Sequence, residues 1–190
     1  MKSLILICFV LLSYFLKAQI ILSSVEPQYL PAYNFFGPNY QVSNVTYTGD
    51  SISFAQFDGT NSDLGLTKGF MVASGDCSIA YGPNTEGDSG TDIPFDHSAG
   101  ILYNYGSSGQ KFDAAYLEFD FVPLVDSISF RYVFASEEYK EFVGSQFGDA
   151  HAILISGPGI NGNQNLMRLP NGDEVSIHNV HGPVSNAFGI

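Results

Sequence analysis

Two neighbouring stretches with period-two alternation constrain the fold more than any other feature of the chain. In Tyr116-Leu-Glu-Phe-Asp-Phe-Val122, the residues Leu117, Phe119 and Phe121 fall on one side and Glu118 and Asp120 on the other. Successive side chains of a strand point to opposite faces, so this is the pattern of a half-buried β-strand. Ser127 to Phe134 repeats it, with Ile128, Phe130, Tyr132 and Phe134 opposite Ser127, Ser129 and Arg131. The short link Pro123-Leu-Val-Asp126 predicts that the two strands form an antiparallel pair.

Turn dipeptides punctuate the rest of the chain: Gly37-Pro38, Gly49-Asp50, Asp58-Gly59, Gly82-Pro83, Gly157-Pro158, Asn171-Gly172 and Gly182-Pro183. Apolar runs lie between them, and they predict further strands at Val42–Thr48, Ser51–Phe57, Gly69–Ala73, Ala150–Ser156 and Glu174–Val180. This rhythm predicts an all-β fold, an antiparallel β-sandwich of jelly-roll type with little helix. The one helical spacing, Tyr139, Phe142 and Val143, predicts a short helix over Glu137–Ser145 that Gly144 ends.

Residues 1–18 read as a signal peptide, with Lys2 before the apolar run Leu4–Leu16 and the small Ala18 at the cleavage point. The run is shorter than the roughly 20 residues that cross a bilayer. Cleavage would leave residues 19–190 as one β-domain in a secreted or cell-surface protein. It would remove Lys2 and Lys17 but no acid, so the net charge would go from -12 to -14. The remaining bases, Lys68, Lys111, Arg131, Lys140 and Arg168, are scattered. That argues against nucleic acid as a partner, since binding to the phosphate backbone needs clustered Lys and Arg. Cys77 would be the one cysteine left, so no disulfide could form within the mature chain. A small buried thiol is the expected reading. The apolar ending Phe188-Gly-Ile190 predicts that the domain continues into a larger protein.

Three groups of side chains carry candidate chemistry. Asn84, Glu86, Asp88 and Asp92 share a loop in which Gly87 and Gly90 allow tight turns. Calcium takes six to eight oxygen ligands, so this loop is a candidate calcium site, although it lacks the order of an EF-hand. Its plain alternative is a solvated acidic loop. Glu137 and Glu138 are adjacent, and either can join Asp149 as a metal ligand. Adjacent carboxylates suit a glycosidase poorly, because hydrolysis needs two of them about 5 to 9.5 Å apart across one substrate. The plain alternative is a corner in which the acids accept backbone N–H bonds and Tyr139 packs beneath. His178 and His181 are three apart at an expected strand end, too few for a zinc site. The chain contains no nucleophile elbow, Walker loop or dinucleotide turn.

Four ordered blocks, Gly69-Phe-Met-Val-Ala-Ser-Gly75, Asp113-Ala-Ala-Tyr-Leu-Glu-Phe-Asp-Phe-Val-Pro123, Ser129-Phe-Arg-Tyr-Val-Phe-Ala-Ser-Glu-Glu-Tyr139 and Ile155-Ser-Gly-Pro-Gly159, resemble the choice-of-anchor L domain. The resemblance spans roughly residues 37–181. It implies a β-rich domain of bacterial secreted or surface proteins, followed by a second half and one of several C-terminal anchoring or sorting signals. The chain departs from the family where Gly148-Asp149-Ala-His151 replaces an Asn-Asp pair and an aromatic, so of that pair only Asp149 keeps a metal role.

The expected function is a non-catalytic binding or adhesion module, calcium-stabilised, that contacts an extracellular glycan or a surface protein. Two alternatives compete with it. One is an extracellular polysaccharide hydrolase, or its accessory domain, with Glu137, Glu138 or Asp149 as acid or base. The other is a structural spacer.

Overall fold

The computed structural model of the chain describes residues 19–33, 40–82, 90–93, 105, 112–139, 142–146 and 148–181. Among them the architecture is all-β and antiparallel, as the turn rhythm predicts, and the only helical pieces are short 3-10 turns. The strands are gathered into three small sheets.

In the first sheet, β1 (Ile21–Ser23) and β4 (Lys68–Val72) flank the central β3 (Phe54–Asp58). β3 is bonded along both edges, and it is also buried on both faces, with Phe54 on one side and Ala55 and Phe57 on the other. The predicted strand over Ser51–Phe57 begins later than expected. Its first residues form a 3-10 turn, Ser51–Ser53, whose entry is capped by the Asp50 carboxylate accepting from Ile52 N at 3.1 Å. Gly69 pairs with Phe57, and the Phe57 ring fills the space where a Cβ would stand, 2.6 Å from it.

The second sheet pairs β2 (Tyr40–Thr48) with β5 (Tyr116–Pro123), from Tyr40 opposite Pro123 to Thr48 opposite Tyr116. The register shifts between Ser43 and Thr46, where Asn44 has φ +52° and its side-chain amide donates to Asp120 Oδ2 at 2.7 Å. Asparagine tolerates this left-handed backbone better than most residues, which suits it to a bulge. The third sheet is the pair β6 (Leu154–Ile155) and β7 (Gln164–Asn165).

The C-terminal core is built from Phe134, Met167, Val175, Ile177 and Val180, with Tyr139, Phe142, Ile153 and Leu169 packed around it. Leu30, Cys77, Ile93 and Ala114 are buried elsewhere in the chain. No described helix is long and apolar enough to cross a membrane.

Four sequence expectations are corrected. The partner of β5 is β2 and not Ser127–Phe134, which joins no sheet among the described residues. Alternation identifies a strand face but not the strand that pairs with it. Glu174–Val180 is no strand beyond a bridge from Glu174 to Arg168. Val175, Ser176 and Ile177 are buried in succession, and the chain then turns, with Val180 N donating to Ser176 O at 2.8 Å. Ala150–Ser156 contributes only β6. Of the expected helix over Glu137–Ser145, the described residues 137–139 and 142–145 form only turns, with Phe142 N on Glu138 O at 3.3 Å and Ser145 N on Phe142 O at 3.0 Å. Gly144, at φ +78°, stops any continuation.

Candidate functional site

The phrase Phe134-Ala-Ser-Glu-Glu-Tyr139 forms a corner against the C-terminal core. Phe134 enters that core at 7% exposure, and Tyr139 packs on the cluster five residues later. Between them, Ser136 Oγ accepts from Glu138 N at 3.1 Å, a local turn bond that fixes the direction of the two glutamates.

Glu138 and Asp149 meet here. The Glu138 carboxylate accepts the backbone N–H of Asp149 and lies within electrostatic reach of the Asp149 and His178 side chains. Burial pushes the Glu138 carboxyl above the ordinary glutamate range, and the neighbouring Asp149 charge adds to this. The backbone N–H and His178 act in the opposite direction. Burial likewise raises Glu137. Asp149 is held from a distant part of the chain, with Ser74 Oγ donating to its Oδ2 at 2.8 Å.

Two histidines complete the corner. His178 Nδ1 accepts from Gly144 N at 3.1 Å, which places the ring proton of the neutral form on Nε2. The same ring covers Gly148 so closely that a Cβ there would stand 2.6 Å from Nε2. His151 packs edge-on against Phe134, with ring centroids 5.0 Å apart, and burial holds its imidazole below the usual histidine value. Glu137 Oε2, Glu138 Oε2 and His151 Nδ1 are all sealed from solvent without a hydrogen-bond partner. A buried, unpaired polar atom costs stability, so the corner concentrates unmet polar capacity.

The predicted site residues divide accordingly. Asn84, Glu86 and Asp88 lie outside the described residues, and Asp92 is exposed. Glu137, Glu138 and Asp149 share the corner, joined by Ser74, His178 and His151. Among the described residues, however, no three His, Cys, Asp or Glu side chains converge closely enough to hold a metal ion. In the corner Glu138 accepts the Asp149 backbone N–H, and Tyr139 packs on the C-terminal core cluster. Sequence reasoning missed Ser74 and Gly148, because no local spacing links position 74 to 149. Cys77 is free and buried as expected, and burial first, then the Asp76 charge, push its thiol up to about 11.

A second feature lies next to the corner. Every residue from Val122 to Val133 is exposed, including Val122 at 57%, Leu124 at 56%, Phe130 at 47% and Tyr132 at 37%. The sequence pattern predicts a buried face for Phe130 and Tyr132, and the structure places them on the surface.

No curated protein and no solved structure is significantly similar to the chain. The family model of the choice-of-anchor L domain matches residues 19–188, nearly the whole chain. The chain therefore belongs to the choice-of-anchor L domain family, whose members are surface-associated or secreted bacterial proteins.

Proposed function

We propose that the chain is a non-catalytic binding module of a larger surface-associated protein, and that it contacts its partner through the exposed stretch from Val122 to Val133. The observation that carries this reading is the run of large apolar side chains left in water at Val122, Leu124, Val125, Ile128, Phe130, Tyr132 and Val133. Scattered single apolar residues on a surface need no explanation, but a contiguous stretch marks an interaction site. Exposed aromatic rings add contact area with few rotatable bonds, which suits them to recognition. Family membership supports the setting, since a surface protein meets polymers and other proteins outside the cell.

Retention of immobilised residues 19–190 on a panel of insoluble polysaccharides and purified surface polypeptides tests the reading. The F130S/Y132S double variant should lose retention, and its exposed positions leave the core untouched. No retention of the unsubstituted chain on any polymer would overturn the proposal.

A further inference from the structure

The geometry points to Ser127–Phe134 as an acceptor edge for a β-strand from a polypeptide partner of basic character. This inference rests on the binding reading above and names its partner. Among the described residues, no backbone N–H or C=O from Ser127 to Phe134 takes part in a backbone hydrogen bond. The side chains nevertheless alternate as in a strand. The Phe130 and Tyr132 rings lie 6.2 Å apart, while Arg131 between them turns away and donates from Nη2 to the Gly65 carbonyl at 2.8 Å.

An open edge of this kind calls for a particular occupant. Water satisfies peptide groups that have no partner among the described residues, but it leaves the apolar side chains beside them exposed. A partner that covers both must offer N–H and C=O groups at the repeat of a strand, about 3.3 Å per residue, with apolar side chains on one face. An extended polypeptide has that repeat, and a glycan's hydroxyls do not. The row of side chains also runs directly into the core, because Phe134 shares the parity of Phe130 and Tyr132 and packs with Met167, Val175 and Ile177. An added strand would therefore extend an existing apolar cluster.

Charge selects among polypeptides. The chain carries a net charge of -12, Asp126 immediately precedes the edge, and Glu118 and Asp120 are exposed on β5. Arg131, the one base on the edge, is held at Gly65. A second copy of the chain would set acid against acid. A segment that alternates Lys or Arg with apolar residues complements the edge in charge as well as in hydrogen bonding.

The test uses residues 19–190 and three fluorescent heptapeptides: Lys-Val-Lys-Val-Lys-Val-Lys, the same peptide with its central valine replaced by proline, and the Glu-Val counterpart. The Lys-Val peptide should bind, and proline, which removes a ladder donor, should weaken binding by about ten-fold or more. The Glu-Val peptide should bind more weakly still. Amide exchange on the unsubstituted chain should slow across Ser127–Phe134 when the Lys-Val peptide is present, a readout independent of any variant. Equal binding of the parent and proline peptides would overturn the inference by reducing it to charge adsorption. Retention on polysaccharide without peptide binding would overturn it too, while the broader binding reading would stand. Concentration-dependent dimerisation that protects the same amides would overturn it in favour of a second copy.

Discussion

The Tyr139 hydroxyl donates to the Val180 carbonyl at 2.5 Å, closing the corner against the last turn of the described core. The bond spans 41 positions, so it ties Phe134–Tyr139 to the far end of the described chain. Replacing Tyr139 with Phe keeps the ring in the cluster and removes only the donor. Y139F should lower stability by about 1 kcal/mol, the usual net worth of such a bond, read from the urea midpoint at unchanged slope.

Asn165 predicts a larger effect. Its side-chain oxygen accepts from both Ile153 N at 3.2 Å and Met167 N at 2.9 Å, fastening the β6–β7 pair to the core. N165A would leave two amide groups without partners in a covered region. At roughly 1 to 3 kcal/mol per stranded donor, the expected loss is about 2 to 6 kcal/mol by denaturant unfolding, larger than for Y139F.

Gly148 tests the close packing of His178 against the backbone of the corner. The His178 ring occupies the space beside its Cα, 2.6 Å from where a Cβ would sit. G148A must displace the imidazole and with it the bond from Gly144 N. Overpacking of this kind costs about 1 to 3 kcal/mol. The G148A/H178A double variant should recover part of that loss, and a double-mutant cycle with no coupling would contradict the contact.

Glu138 makes stability depend on pH in a definite direction. Its carboxyl is raised in the folded state, so the folded chain binds the proton more tightly than the unfolded chain does. Stability from this group is fully present below the ordinary value of 4.5 and is lost as pH rises through the raised value. E138Q keeps an acceptor for the Asp149 N–H but carries no charge. Its melting temperature should fall less than that of the unsubstituted chain as pH rises from 4 to 7, a range of about three units around the ordinary glutamate value.

His151 acts with the opposite sign. Its imidazole is held below the ordinary value of 6.5, so its contribution is present above 6.5 and is lost as pH falls through the lowered value. H151F keeps an aromatic edge against Phe134 and gives up a ring nitrogen that has no partner. Melting curves of H151F between roughly pH 6.5 and 4.5 should therefore show a smaller acid loss than those of the unsubstituted chain.

The fold class and several of the strands are legible in the residue pattern alone. The alternation in Tyr116–Val122, the run at Val42–Thr48 and the block beginning at Gly69 all became strands within a residue or two of where their patterns placed them. The turn dipeptides separated those strands correctly, because Gly, Pro, Asn and Asp impose backbone geometry locally. The burial of Cys77 was legible for a similar reason, since a lone thiol in an aromatic-rich chain is a small apolar residue.

Packing between distant segments settles what local pattern cannot encode. Pairing depends on which segment reaches an edge, so β5 met β2 and left Phe130 and Tyr132 in water despite their alternation. Val175, Ile177 and Val180 entered the core as a turn, because three-dimensional packing rewards burial whatever the backbone period. The corner depends on distance along the chain: Ser74 reaches Asp149, and His178 settles over Gly148, through contacts between segments that no spacing in the sequence connects. Periodicity is a property of neighbouring residues, whereas partners and sites are properties of the folded chain.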